Sequence, residues 1–151
     1  MLTTIPCELS HIPRILEIER ASFDDPWTER MFTDELKNPR GYYLAALDGD
    51  NIIGFAGMFY LLGEGEIRNI AVAPEARKRG VASALLNAIE AKAMEVNLSG
   101  ITLEVRVSNQ PAIELYSKLG YKSLGIRPGY YIKPREDAII MIKNIKRMNK
   151  V

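Results

Sequence analysis

Three places in this chain carry residue types that can do chemistry. The first is Arg77-Lys78-Arg79-Gly80, which runs at once into the apolar, alanine-rich Val81-Ala82-Ser83-Ala84-Leu85-Leu86. Cations at the start of a helix face the positive end of its dipole, an unfavourable place unless an anion sits there. Gly80 lets a ligand approach the backbone, and the first turn of a helix offers unpaired N–H groups. The stretch is either a phosphate site or a solvated basic turn. It lacks the Gly-Lys-Ser/Thr of a Walker loop and the glycine triplet of a dinucleotide fingerprint. The second place is Glu104, which shares a strand face with Thr102 and Arg106, opposite Leu103 and Val105. Such a carboxylate can serve as a general base, or it can be an ion-paired surface group with Arg106 as its partner. The third is Tyr116, three residues after Ile113 and three before Leu119. Its phenol can donate a proton, and the same spacing fits a core tyrosine.

Other chemistries are poorly supplied. Cys7 and His11 are the one cysteine and the one histidine. They are too few for a zinc site or an internal disulfide, so no metal is expected. Catalysis is left to carboxylates, tyrosines, backbone dipoles or a bound cofactor. The chain has 151 residues, 47% apolar and 26% charged, with a net charge of +1. That describes an ordinary globular protein with no global basic field for nucleic acid. No apolar run is long enough to span a membrane, and Met1 to Ser10 lacks the features of a signal peptide. The expectation is a single domain over residues 1–151, cytoplasmic, a monomer or weak dimer, with neither nucleic acid nor membrane as partner.

The elements that must position these residues follow from periodicity. Leu2 to Pro6 reads as a strand. A helix then starts near Ser10, carrying Ile12, Ile15, Leu16 and Glu19, and breaks at Ser22 to Thr28. Thr28 caps a second helix with Met31, Phe32 and Leu36 on one face, ended by Asn38-Pro39. Tyr42 to Leu47 and Ile52 to Leu62 form a hairpin about Asp48 to Asn51. A turn at Gly63-Glu64-Gly65 leads to a strand over Glu66 to Ala73, and a helix follows Gly80 as far as Asn97 to Gly100. Ile101 to Val107 alternates as a strand with two distinct faces. A short helix runs from Ser108-Asn109 to Leu119, and Tyr121 to Ile126 and Ala138 to Ile145 are the last strands. The order predicts a mixed α/β fold with a mostly antiparallel twisted sheet of six to seven strands and about four helices.

With these segments in place, the chain resembles the GNAT superfamily of acetyl-CoA-dependent N-acetyltransferases. Arg77-x-x-Gly80-x-Ala82 is similar to its (Gln/Arg)-x-x-Gly-x-(Gly/Ala) motif, and Ile67 to Val72 to its central strand. Glu104-Val105-Arg106-x-Ser108-Asn109 and Leu115-Tyr116-x-x-x-Gly120-Tyr121 match its next strand and helix. Pro26-Trp27-Thr28 and Tyr130-Tyr131-x-x-x-x-Arg135-Glu136-Asp137-Ala138 resemble the protein N-terminal acetyltransferases, bacterial RimI and archaeal enzymes among them.

The resemblance implies acetyl-CoA as co-substrate. Backbone amides of Lys78, Arg79, Gly80, Val81, Ala82 and Ser83 would hold the pyrophosphate, with Arg77 beside them. The backbone of Ile70, Ala71 and Val72 would bind the pantetheine arm as an added strand. Asn109 would contact coenzyme A as well as cap its helix. The resemblance makes Glu104 the base and Tyr116 the acid, with the Tyr116 hydroxyl at the thioester sulfur. It suggests that Tyr130, Tyr131 and the loop of Phe23, Pro26 and Trp27 flank the peptide, although the Trp27 indole suits the core better. The implied partners are protein or peptide N-termini, ribosomal proteins among them. Two alternatives remain at this level: a GNAT enzyme for a small amine such as a polyamine, aminoglycoside or amino acid, and a non-catalytic coenzyme-A-binding module. A polyamine site should be acidic, and near the substrate loops the sequence offers only Asp24, Asp25 and Glu29.

Overall fold

The computed structural model describes residues 1–145, so residues 146–151 of the expected domain lie outside the described residues. Helix α1 (Ile12–Ser22) grows out of a 3-10 turn at Leu9–His11, with Pro13 in its first turn, where a missing N–H costs nothing. Thr28 opens α2 (Glu29–Lys37), its hydroxyl accepting from the Met31 N–H at 3.2 Å. Helix α3 (Val81–Glu95) has no side-chain cap. Asn109 caps α4 (Gln110–Lys118), its carbonyl accepting from the Ala112 N–H at 3.2 Å. No described helix is long and apolar enough to cross a membrane.

The strands are β1 (Leu2–Pro6), β2 (Gly41–Asp48), β3 (Asn51–Leu61), β4 (Glu64–Val72), β5 (Gly100–Arg106), β6 (Lys122–Ile132) and β7 (Arg135–Asn144). They form a seven-stranded sheet in the order β1-β2-β3-β4-β5-β7-β6. Every neighbouring pair is antiparallel except β4 and β5. Among the boundaries that differ from the expected ones, two bear on the site. The β3–β4 turn is Leu62-Gly63, both at positive φ, so Glu64 and Gly65 already belong to β4. Strand β6 runs to Ile132, six residues beyond Ile126. It is an edge strand, where Pro128 removes no necessary ladder bond, and its register breaks between Arg127 and Tyr131. That extension carries Tyr130 and Tyr131 to the end of a hairpin.

Alternation along β3 sorts the helices to opposite faces. Phe55 meets Phe32 of α2 edge-on at 5.5 Å. Gly54 faces α3: a Cβ there would lie 3.0 Å from the Val81 side chain and 3.1 Å from the Ala71 carbonyl. The missing side chain lets the first turn of α3 sit against the end of β4. Ile15, Ile18, Phe32, Phe55, Met58, Leu85, Leu86, Ile89 and Leu103 fill the core on the two faces.

The parallel pair is short, and its shortness makes the site. β4 and β5 pair only from Glu64↔Gly100 to Glu66↔Thr102. Beyond that, β4 stays with β3 as far as Val72, while β5 stays with β7 as far as Arg106. The separation starts at a bulge: Gly57 faces Asn69 and Met58 faces Ile67, leaving Arg68 unpaired. An extra residue bends a strand and increases its twist. A wedge opens between the two central strands.

Candidate active site

One wall of the wedge is the free edge of β4. The Ala73 N–H donates to the Ile53 carbonyl at 2.8 Å, which continues the β3-bonded positions through Ala71. In an antiparallel ladder the intervening residues turn their N–H and C=O groups the other way. Ile70 and Val72 therefore present backbone groups to the wedge, as a strand does when it awaits another. Arg77 Nε donates to the Val72 carbonyl from that side at 3.3 Å.

From Val72 the chain passes a 3-10 turn at Pro74–Ala76 and reaches α3 through Arg77 to Gly80. Gly80 sits at φ +78° and Lys78 at +64°, both left-handed. The first intrahelical bond of α3 is from the Ala84 N–H to the Gly80 carbonyl at 3.0 Å. The N–H groups of Val81, Ala82 and Ser83 have no partner among the described residues, and no acidic side chain lies in the first turn. Such a terminus attracts an anion. The basic residues are partly committed elsewhere: Arg79 pairs with Asp48 at 2.9 Å, and Arg77 also reaches the Ser22 hydroxyl at 3.4 Å. Arg77, Lys78 and Arg79 are nevertheless exposed, so the free N–H groups of the helix start lie beside basic side chains. A free strand edge leading into an uncapped helix start fits an extended ligand that ends in an anionic group.

Glu104 stands on the opposite wall, on β5, with its side chain mostly buried. Burial pushes its carboxyl above the ordinary range, the Glu66 charge pushes it further, and Arg127 and Arg68 pull it back. The ion pair with Arg106, one of the two readings of the sequence, does not form. Each of the two side chains is taken by a different partner across the sheet. Glu104 meets Arg127 of β6 at 3.5 Å, and Arg106 meets Glu136 of β7 at 3.2 Å. Arg106 also donates to the carbonyls of Lys133 and Pro134 and lies over the Tyr131 ring at 4.2 Å. Glu136 in turn accepts from the Ser108 N–H at 2.8 Å. Arg106 thus clamps the β6–β7 hairpin to the end of β5.

The carboxylates near the site go beyond the acidic residues expected from the sequence. Glu66 sits beside Glu104, but Arg68 holds Glu66 at 2.9 Å and reaches Glu35 at 3.6 Å, while Tyr43 donates to Glu35 at 3.1 Å. Glu66 and Arg68 were not expected at the site. Their alternation on β4 was readable, but the register that sets them beside Glu104 was not. With Arg68 and Arg127 in place, the acidic pair is balanced rather than bare.

Tyr116 of α4 is 7% exposed and lies edge-on to Tyr121 at 5.9 Å. It is packed in the core, as its helical spacing predicts, yet its hydroxyl has no protein partner. Among the described residues no fully buried side-chain oxygen is unpartnered, so this hydroxyl keeps solvent access. Burial raises its phenol to about 12. Tyr130 is 44% exposed, packs edge-on to Tyr131 at 5.0 Å, and has the Arg127 guanidinium over its ring at 5.5 Å. The charge of Glu104 is felt at both Tyr130 and Tyr131, so the carboxyl lies near the two hairpin aromatics.

In the Phe23 to Trp27 loop, Phe23 is exposed and Pro26 half-buried. The Trp27 indole is half-buried, tilted against Phe32 at 5.2 Å, and packs on the core. A groove of about 630 Å³ between α1 and α2, lined by Leu9, Ile12, Leu16, Arg20 and Thr33, includes none of the expected site residues.

This fold and this wedge define an acyltransferase of a known class: residues 12–121 match the Acetyltransferase (GNAT) family, and the chain belongs to it. Acetyl-CoA is the acetyl donor of that family. The chain is 33% identical over 143 residues to the ribosomal protein bS18-alanine N-acetyltransferase of Escherichia coli strain K12, covering 93% of this chain and 96% of that one. It is 38% identical over 133 residues to the Haemophilus ducreyi protein of the same name, covering 85% and 90%. The crystal structure of the Escherichia coli ribosomal-protein-S18-alanine N-acetyltransferase superposes with a TM-score of 0.91 at 31% identity, covering 99% of this chain and 97% of that one. Ard1 from Thermoplasma volcanium superposes with a TM-score of 0.91 at 25% identity, covering 97% and 99%.

Proposed function

We propose that this protein acetylates protein N-terminal α-amines, ribosomal proteins among them, by direct transfer from acetyl-CoA. The observation that carries this reading is the wedge itself. A free strand edge and an uncapped helix start form one wall, and a raised carboxyl stands on the other. The names of the relatives point to the same substrate class.

In this reading the Val72 N–H polarises the acyl carbonyl, a contribution of about 3 kcal/mol for a well-placed donor. The amine nitrogen bonds to the acyl carbon as the carbon–sulfur bond breaks. Glu104 takes the amine proton, directly or through a water, and Tyr116 gives its proton to the departing sulfur. Burial suits both groups to these tasks. It lifts the Glu104 carboxyl toward the pH range where a base works best, and it keeps the Tyr116 phenol protonated at neutral pH. The hairpin aromatics Tyr130 and Tyr131 and the loop at Phe23 and Pro26 flank the peptide.

An α-amine titrates near ~8, against ~10.4 for a lysine side chain, so far more of it is neutral at pH 7. An Ala- or Ser-initiated peptide with an internal lysine should therefore gain acetyl on its N-terminus. Mass spectrometry that finds the acetyl on the lysine, or turnover of polyamines in preference to peptides, overturns the substrate class.

The charge of Glu66 provides a second test. It raises the Glu104 carboxyl, so Glu66→Gln should lower it. Falling pH first protonates the amine and then the base. The acid side of the kcat/KM profile should therefore steepen from slope one to slope two as Glu104 protonates. That break should move to lower pH in Glu66→Gln. A break that stays put or moves upward removes Glu104 from the role of base or Glu66 from its surroundings.

A further inference from the structure

Glu19, in the last turn of α1, is 1% exposed. A carboxylate taken out of water is costly unless its oxygens are hydrogen-bonded. Both are, and to different parts of the molecule. One oxygen accepts from the Asn69 side-chain amide at 2.9 Å, the other from the Trp27 backbone N–H at 2.9 Å. Asn69 is itself buried and stands on β4 between the Arg68 bulge and the free edge at Ile70 to Val72. Trp27 closes the loop that begins at Phe23. No cation pairs with Glu19 among the described residues, and burial raises its carboxyl. A space-filling role at this point would be met more cheaply by an apolar side chain. What the carboxylate does, and an apolar group cannot, is hold two backbone segments at a set separation.

We propose that Glu19 is a positioning residue for the acceptor peptide. It ties the loop of residues 23–28 to the strand edge that receives the acyl donor, and so sets the width of the peptide entrance. This rests on the reading of that loop as part of the peptide site. It names no new reacting group: Glu19 acts through Trp27 and Asn69.

Its two partners are both donors, which makes a decisive pair of variants possible. Glu19→Gln keeps the shape, but its amide offers one acceptor and one donor to two donors, so one bond is lost in either orientation. Combining it with Asn69→Asp restores both bonds with one polarity reversed: the new amide donates to position 69 and its carbonyl still accepts from Trp27. The measurements are steady-state kinetics of the full chain on an Ala-initiated peptide and acetyl-CoA affinity by calorimetry. Glu19→Gln should raise the peptide KM about tenfold, the effect of one hydrogen bond to a charged group. Acetyl-CoA affinity should change less than about twofold on that scale, and the double variant should recover most of the KM loss. An unchanged peptide KM in Glu19→Gln, with a lowered Tm alone, overturns the proposal. So does a double variant whose KM stays as high as that of the single one, or stays raised when the single variant does not fold. A wild-type chain without turnover on the peptide overturns the functional reading, and this one with it; the other failures leave that reading standing.

Discussion

Glu104→Gln should lower kcat by about 10²–10⁴-fold, the usual worth of a general acid–base step, while acetyl-CoA affinity stays near the wild-type value. The substitution keeps size and polarity and removes the proton acceptor. It also frees Arg127, whose 3.5 Å contact with Glu104 is at an exposed guanidinium and so adds little to stability. The deficit should shrink as pH rises, because more of the amine is then already neutral. Tyr116→Phe should also lower kcat, but high pH should not rescue it, since the departing sulfur still lacks its donor. The Tyr116 hydroxyl has no protein partner, so its loss leaves no buried group unsatisfied and the fold should hold. The two pH profiles, measured with the same peptide, separate the roles. Near-normal rates for both variants at pH 7 would make Glu104 a structural ion-pair partner of Arg127 and Tyr116 a core aromatic.

The second large effect is expected at the start of α3. Gly80→Glu should weaken acetyl-CoA binding by about 100-fold or more, because charged hydrogen bonds are worth ~1.5–3 kcal/mol each and several backbone donors are involved. The added carboxylate would occupy the Val81 to Ser83 amides and repel phosphate. Gly80→Ala is the control. Nothing lies within 4 Å of a Cβ at that position, so the methyl group meets open space. Its cost is conformational, since φ of +78° is strained for any L-residue at ~1–2 kcal/mol. A lower Tm with nearly normal affinity is the expected result for alanine. Equal losses of affinity for alanine and glutamate in calorimetry would mean that the loop's shape matters and the anion site does not.

The features legible in the chain are those set by near neighbours. Thr28 and Asn109 were readable as caps because the N–H groups they satisfy lie three residues away. The two faces of β5 were readable from simple alternation, and the start of α3 from a glycine ahead of an apolar run. The family motif added roles for Glu104 and Tyr116 that periodicity left open. Partnerships across the sheet were not legible. Arg106 is two residues from Glu104 in the chain, yet the sheet gives it Glu136, thirty positions away, and gives Glu104 to Arg127. Glu66 joins the site only because β4 and β5 run parallel for three residue pairs and then part at a bulge. Glu19 reads in the sequence as one polar position on an amphipathic helix. Folding buries it because α1 crosses the β4 bulge where Asn69 and the Trp27 loop both bring donors. Hydrogen bonds within a turn are written in the order of residues. The pairing of charges and the opening of the wedge depend on strand register and on where two strands separate, and those are decided by the packing of the whole sheet.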